Sequence, residues 1–322
     1  MIDKNTVFIF GAGVSKPYGY PTGIELLRGI RDNTASGSFN QVLYNYGFPQ
    51  KLLEKFSNEL SECQLPSIDI FLENRPKYID LGKICICAYL LKTENKGRLI
   101  NDKSQEEGIY QNLYTSLIDK GGWESFGENN VYFITFNYDR SLEYYLYTAL
   151  KATSGKSDKI IFDLLSNIPI IHVYGSLPTG DNLLIPHLSY GFFSNLINLE
   201  NHKETIKEIS KEIEIFSEGE DYSNEFSEAN ILLKNAERIY FLGFGYHEVN
   251  LRRLKILELE YYDRELPAKY YHGTGKLKEK RAFRGNAYKM GLVKTESIQN
   301  RYKVFLPNST MTDARFMKDF LG

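Results

Sequence analysis

Three stretches of the chain carry side chains that could do chemistry. In the first, Gly11-Ala12-Gly13-Val14-Ser15 follows directly on the apolar run Val7-Phe8-Ile9-Phe10 and precedes the helical spacing of Ile24, Leu26, Leu27 and Ile30. Glycines at a strand-to-helix turn let the backbone approach a diphosphate, and the helix start presents N–H donors to it. A structural tight turn explains such glycines as well, so taken alone they are weak support for a nucleotide. In the second, Asn137 and Asp139 end the run Val131-Tyr-Phe-Ile-Thr-Phe136. If the strand persists they point to opposite faces, with Tyr138 between them; alternatively they cap the helix that follows. In the third, Ile171-His172-Val173-Tyr174-Gly175 sets a histidine, the side chain suited to proton transfer at neutral pH, two residues before a tyrosine. On a strand both share one face, roughly 6.5 Å apart. A tyrosine with its ordinary pKa of about 10 is a poor base, so His172 is the better candidate. A buried, hydrogen-bonded strand histidine is the plain alternative.

These residues need elements to position them. Val7–Phe10 is a continuous apolar run, which reads as a strand buried on both faces of a parallel sheet. Residues 131–136, 168–174 and 238–242 read as further strands, the last running into the turn Gly243-Phe244-Gly245, with a helix from near Val249. Between Asn33 and Asn130 the periodicity is helical, over 49–62, 67–92 and 105–119, with almost no strand signal. Tyr302–Leu306 reads as a late strand and Asp313–Leu321 as a terminal helix. The expectation is an α/β fold: a Rossmann-like parallel sheet with helices on both faces, and a helical insertion after the first βα unit. Residues 1–32 and 131–322 would form the sheet domain, and 33–130 the helical insertion. A dehydrogenase is disfavoured, because no second strand follows the helix to present a ribose-binding acid at its end.

Taken together, the motifs resemble those of the bacterial sirtuin-like domains. Gly11-Ala-Gly-Val-Ser15 followed by Gly19-x-Pro21 is similar to the first signature of that family, and Thr135-Phe-Asn-Tyr-Asp139 to the second. Ile171-His-Val-Tyr-Gly175 resembles the third, with Tyr174 where the family has its histidine. Leu242-Gly-Phe-Gly245, running on to Asn250, resembles the fourth, and Ser67–Pro76 is like the helical insertion of that group. The resemblance implies cleavage of NAD, as substrate, at the bond between nicotinamide and ribose, through an oxocarbenium-like transition state. It implies a phosphate cradle at Gly11, Ala12, Gly13 and Ser15, with Pro21 and Thr22 close by. Asn137 would contact the nicotinamide ribose or place the attacking water, Asp139 would lie near the carboxamide, and His172 would act as base or orient the ribose. Tyr174, Gly175, Gly243, Phe244, Gly245 and Asn250 would complete the cofactor pocket. An NAD hydrolase of antiphage defence is then expected, controlled by a partner protein or by homo-oligomerisation. The rival is a catalytically silent NAD or ADP-ribose sensor, or a regulatory subunit of a defence complex, favoured by Tyr174 in the histidine place. Deacylation or ADP-ribosyl transfer is a weaker third reading.

Composition limits the rest. Lys and Arg total 39 against 41 for Asp and Glu, so the net charge of -2 gives no bulk attraction to nucleic acid or an anionic membrane. Direct nucleic-acid contact is not expected, and the basic run from Lys276 to Lys289 reads as a solvated face. Gly273-Thr-Gly-Lys276 lacks the frame of a nucleoside-triphosphate loop, since Leu277 follows the lysine. Cys63, Cys85 and Cys87 form no Cys-x-x-Cys pair, which excludes a zinc ribbon and leaves no metal expected. Few cysteines, a start without a signal peptide and no apolar run of membrane-spanning length point to a cytoplasmic protein.

Overall fold

The computed structural model describes residues 2–35, 37–100, 109–119, 121–215, 223–245, 247–255 and 270–273. Five strands make one sheet: β1 (Thr6–Phe10), β2 (Val131–Thr135), β3 (Ile170–His172), β4 (Arg238–Leu242) and β5 (Tyr270–Gly273). All pairings are parallel and the order is β3-β2-β1-β4-β5. This is the strand order of a Rossmann-like sheet.

The apolar run that forms β1 is buried at every residue, Thr6 through Phe10. Side chains alternate between faces along a strand, so unbroken burial means that both faces are covered. Register places Phe8 beside Phe133 of β2 and beside Tyr240 of β4. The three rings stack across the sheet, with centroids 5.4 and 5.1 Å apart. Such pairs add about 0.5–1.5 kcal/mol each beyond their buried area.

Helices fill the connections. Between β1 and β2 lie α1 (Ala12–Ser15), α2 (Gly23–Ala35), α3 (Ser38–Asn45), α4 (Gln50–Glu62), α5 (Ile68–Glu73), α6 (Ile79–Thr93), α7 (Lys96–Ile100) and α8 (Ile109–Ile118). Between β2 and β3 lie α9 (Ser141–Ser154) and α10 (Asp158–Leu165). Between β3 and β4 lie α11 (Leu196–Asn201), α12 (Lys203–Lys211) and α13 (Asn224–Asn235), and α14 (Glu248–Arg253) follows β4. Helix α6 is apolar around most of its girth and accordingly buried from Leu81 to Leu91 except at Lys83 and Tyr89, with Cys85 and Cys87 inside. Phe56, Phe71 and Tyr78 of the helical segment share one core with Phe8 and Ile134 of the sheet. Among the described residues, no helix is long and apolar enough to cross a membrane.

Two elements differ from the sequence reading. The third strand stops at His172 instead of continuing to Tyr174. The segment after α12 crosses there: Glu214 N–H bonds the Tyr174 carbonyl at 2.9 Å, and Gly175 bridges Ile213. Gly175 has φ +73, and a Cβ on it would lie 1.7 Å from the Glu212 carbonyl oxygen, so the turn admits only glycine. Strand β5 was not legible, because Tyr270–Gly273 is short and lacks a bounded apolar run. The expected strand Tyr302–Leu306, the helix Asp313–Leu321 and the basic run Lys276–Lys289 lie outside the described residues.

A buried ion pair ties the helical segment to the end of β2. The Arg140 guanidinium donates from Nε to Glu94 Oε1 at 2.6 Å and from Nη2 to Glu94 Oε2 at 3.0 Å. Its Nη1 donates to the carbonyls of Pro178 and Leu188, while Gly191 N–H bonds Glu94 Oε2. Both side chains are at most 1% exposed. Removing one partner strands the other charge in the interior, at a cost of about 3–5 kcal/mol. Glu94→Ala should therefore lose about 3–5 kcal/mol in urea unfolding; a loss below about 1 kcal/mol would show the pair to be dispensable.

Candidate functional site

In-register parallel pairing places the four motif stretches on one line. His172, Thr135, Phe10 and Leu242 are successive register partners, and each is the last residue of its strand. The chains stay joined one residue further: Gly11 N–H bonds Leu242 O, Phe136 N–H bonds Phe10 O and Val173 N–H bonds Thr135 O. Ligands of open α/β sheets bind beyond this edge, where the strand order reverses. Here the reversal lies between β1 and β4.

At that point the two glycine turns touch. Gly13 N–H donates to Gly243 O at 3.0 Å. A Cβ on Gly13 would lie 2.7 Å from Gly243 Cα, and Gly243 itself has φ +57. The contact between turns thus accounts for these glycines, as the structural reading of the sequence allowed. Ala12 to Ser15 form the single-turn helix α1. Phe244 is buried and packs edge-on against Phe136, whereas Gly245 is exposed.

Asn137 and Asp139 turn to the same side, because the strand ends before them. Asn137 is 9% exposed, and its Nδ2 donates to Gly11 O at 3.2 Å and to Ser15 Oγ at 3.1 Å. A carbonyl only accepts, so the amide cannot be flipped. Its Oδ1 is therefore the atom left over, and it is buried without a partner. The Ser15 hydroxyl lies 3.5 Å from Ser141 Oγ, and Asp139 accepts from the Ser141 hydroxyl and from the Ser141 backbone N–H at 3.0 Å. Asp139 thereby braces the start of α9 from one residue before its cap, Arg140, so neither it nor Asn137 is the helix cap that the sequence allowed as an alternative. Tyr110 of α8 closes the network, its hydroxyl 2.8 Å from Ser141 Oγ. Burial raises the Asp139 carboxyl above the usual carboxylate range, against the pull of these hydrogen bonds.

His172 is hydrogen-bonded through both ring nitrogens. Nδ1 lies 2.7 Å from the Asn137 carbonyl oxygen and Nε2 lies 2.5 Å from Glu143 Oε1. Burial opposes charge on the ring, but the Glu143 carboxylate and the Asn137 carbonyl outweigh it and raise the His172 pKa above its ordinary value.

Tyr174 belongs to a second cluster, because β3 has already ended. Its hydroxyl donates to Asn250 Oδ1 at 2.9 Å and accepts from Arg253 Nη1 at 2.6 Å. Arg253 also reaches Glu73 of α5, and the Tyr138 hydroxyl bonds Asp69 of the same helix. Burial raises the pKa of Tyr174 and of Asp69. Asn250 is thus engaged by a protein group, and His172 and Tyr174 do not share one wall. Thr22 bonds Glu25 through its hydroxyl and backbone N–H, and Pro21 lines a separate open cleft of about 280 Å³ beside Tyr89 and Arg98.

The structure therefore brings Gly11, Ser15, Asn137, Asp139 and His172 into one bonded group. It adds Glu143, Ser141 and Tyr110, which sequence reading did not single out. Only Glu143 had a sequence signal, an acid in the first turn of the helix after Asn-x-Asp. Among the described residues, no cluster of histidine, cysteine and carboxylate side chains is arranged to hold a metal. No protein-family model and no curated protein sequence matches the chain. Gly243→Ala should cost at least about 2 kcal/mol in urea unfolding, since it sets a Cβ against the Gly13–Val14 backbone at positive φ. Wild-type stability in that variant would contradict the contact between the two turns.

Proposed function

We propose that the chain is a sirtuin-like NAD glycohydrolase that uses water to give nicotinamide and ADP-ribose. The observation that carries this reading is the buried, partnerless Oδ1 of Asn137 at the carboxyl edge of the sheet. An unmet buried acceptor costs about 1–3 kcal/mol. It is stabilised by a bound hydroxyl donor, and a ribose hydroxyl or an attacking water is such a donor. The Gly11 carbonyl and the Ser15 hydroxyl, both accepting from the Asn137 amide nitrogen, fix the direction in which Oδ1 points.

In the reaction the C1′–nitrogen bond breaks and its electron pair leaves with nicotinamide, neutralising the pyridinium. Positive charge develops on the ribose, as in glycoside hydrolysis. Water adds to C1′ and its surplus proton passes to solvent. Asn137 Oδ1 would hold that water or the neighbouring ribose hydroxyl, and the Asp139 carboxylate, when ionised, would favour the developing positive charge. On the resemblance alone, the proposal extends to NAD depletion in antiphage defence, under control of a partner protein or a homo-oligomer.

One observation favours a second reading, a non-catalytic NAD or ADP-ribose module: neither His172 nor Tyr174 stands unengaged as a base. Chromatography of products and calorimetry with NAD separate the two. Asn137→Ala should lower NAD turnover by about a hundredfold or more while leaving the circular dichroism spectrum unchanged. Undiminished turnover in the folded variant would remove Asn137 from the site.

A further inference from the structure

We propose that Glu143 is a positioning residue, and that with His172 it forms a clamp holding the Asn137 loop rather than a base that takes a proton from water. The proposal rests on the reading above, in which Asn137 meets the substrate. Its ground is the pairing at the two ring nitrogens. The Asn137 carbonyl can only accept, so Nδ1 must carry a hydrogen. A neutral ring would then turn its Nε2 lone pair toward a carboxylate oxygen 2.5 Å away. That contact is attractive only with a proton in it, whether as imidazolium with carboxylate or imidazole with carboxylic acid. In either form no ring lone pair is left to receive a proton.

The surroundings fit a clamp. Glu143 stands in the first turn of α9, where negative charge is favoured, and its side chain is 12% exposed against 10% for His172. Asp139, in the loop that leads into α9, adds a further favourable charge. Helix α13 also packs against β3, and none of its described side chains is hydrogen-bonded to the ring. The opposite oxygen, Glu143 Oε2, is buried without a partner. The carboxylate is therefore committed to the ring through Oε1 and has one acceptor position left.

The sign of the pH dependence separates clamp from base. The folded His172 pKa lies above the ordinary value of about 6.5. The clamp is complete below that ordinary value and loosens as pH rises through the folded one. Turnover should then fall on the alkaline side, whereas a general base would make it rise. Glu143→Gln offers a neutral replacement: the amide donates N–H to Nε2, and Nδ1–H stays on the Asn137 carbonyl. Glu143→Ala offers none.

The test is nitrogen NMR of the full chain labelled with ¹⁵N-histidine, together with NAD turnover from pH 5.5 to pH 9, for wild type, Glu143→Gln and Glu143→Ala. In the wild type both ring nitrogens of His172 should carry the bridging proton pattern at pH 6. In Glu143→Gln the ring should become the neutral Nδ1–H tautomer, with proton affinity down at least about tenfold. Turnover should fall about tenfold or more in Glu143→Ala. Glu143→Gln should recover most of that loss and flatten the alkaline limb. A wild-type ring with bare Nε2 at pH 6, or a rate that rises through the NMR midpoint, would overturn the clamp. If no protein cleaves NAD, the ring nitrogens still decide the clamp, and the hydrolase reading fails by itself.

Discussion

Parallel pairing obliges every strand to release its chain at the same edge. In this protein His172, Thr135, Phe10 and Leu242 are strand-final residues on one register row. Everything chemical follows from that row. Residues more than a hundred positions apart, such as Gly11 and Asn137, become hydrogen-bond partners because the strands before them end level. Phe8, stacked between Phe133 and Tyr240, holds the register two residues below the row. A one-residue slip would exchange the buried faces and separate the motifs together.

Beyond the row the chain sorts its polar side chains into two groups. Tyr138 is the divider: Asn137 and Asp139 turn toward Ser15, Ser141 and Tyr110, while the tyrosine between them turns toward Asp69 of the helical segment. Tyr174, Asn250, Arg253 and Glu73 gather in that second group. The helical segment thus reaches the sheet edge through α5 as well as through the Glu94–Arg140 pair. Buried polar groups are costly unless bonded, and this network is bonded nearly throughout. Around His172 the unmet acceptors are the buried Asn137 Oδ1 and Glu143 Oε2, on either side of the ring in the bonded chain. A ligand bearing hydroxyl donors suits that pattern.

Much of this was legible in the residues. Val7–Phe10 announced a doubly buried strand because an apolar run without alternation has no solvent face, and Gln50–Glu62 showed its helix by spacing. The nearness of Gly11, Asn137 and Gly243 was readable from motif order, since each follows a strand. Other features were decided by distant partners and left no local mark. The strand at Ile170 ends early because Glu212–Glu214 crosses at Gly175. That early end separates His172 from Tyr174, which an extended strand would have kept on one face. Glu143 meets His172 across 29 residues, and Glu94 meets Arg140 across 46. A charge drawn into the interior by such a partner reads locally as an ordinary surface residue.

The most direct measurement is a crystal structure of the Asn137-intact protein with NAD or ADP-ribose bound. The predicted result is a nicotinamide-side ribose hydroxyl, or the water in line with C1′, on Asn137 Oδ1, with the diphosphate between the Gly11–Ser15 and Gly243–Gly245 turns. A nucleotide bound away from the His172–Thr135–Phe10–Leu242 row, with Asn137 Oδ1 meeting no ligand, would contradict it.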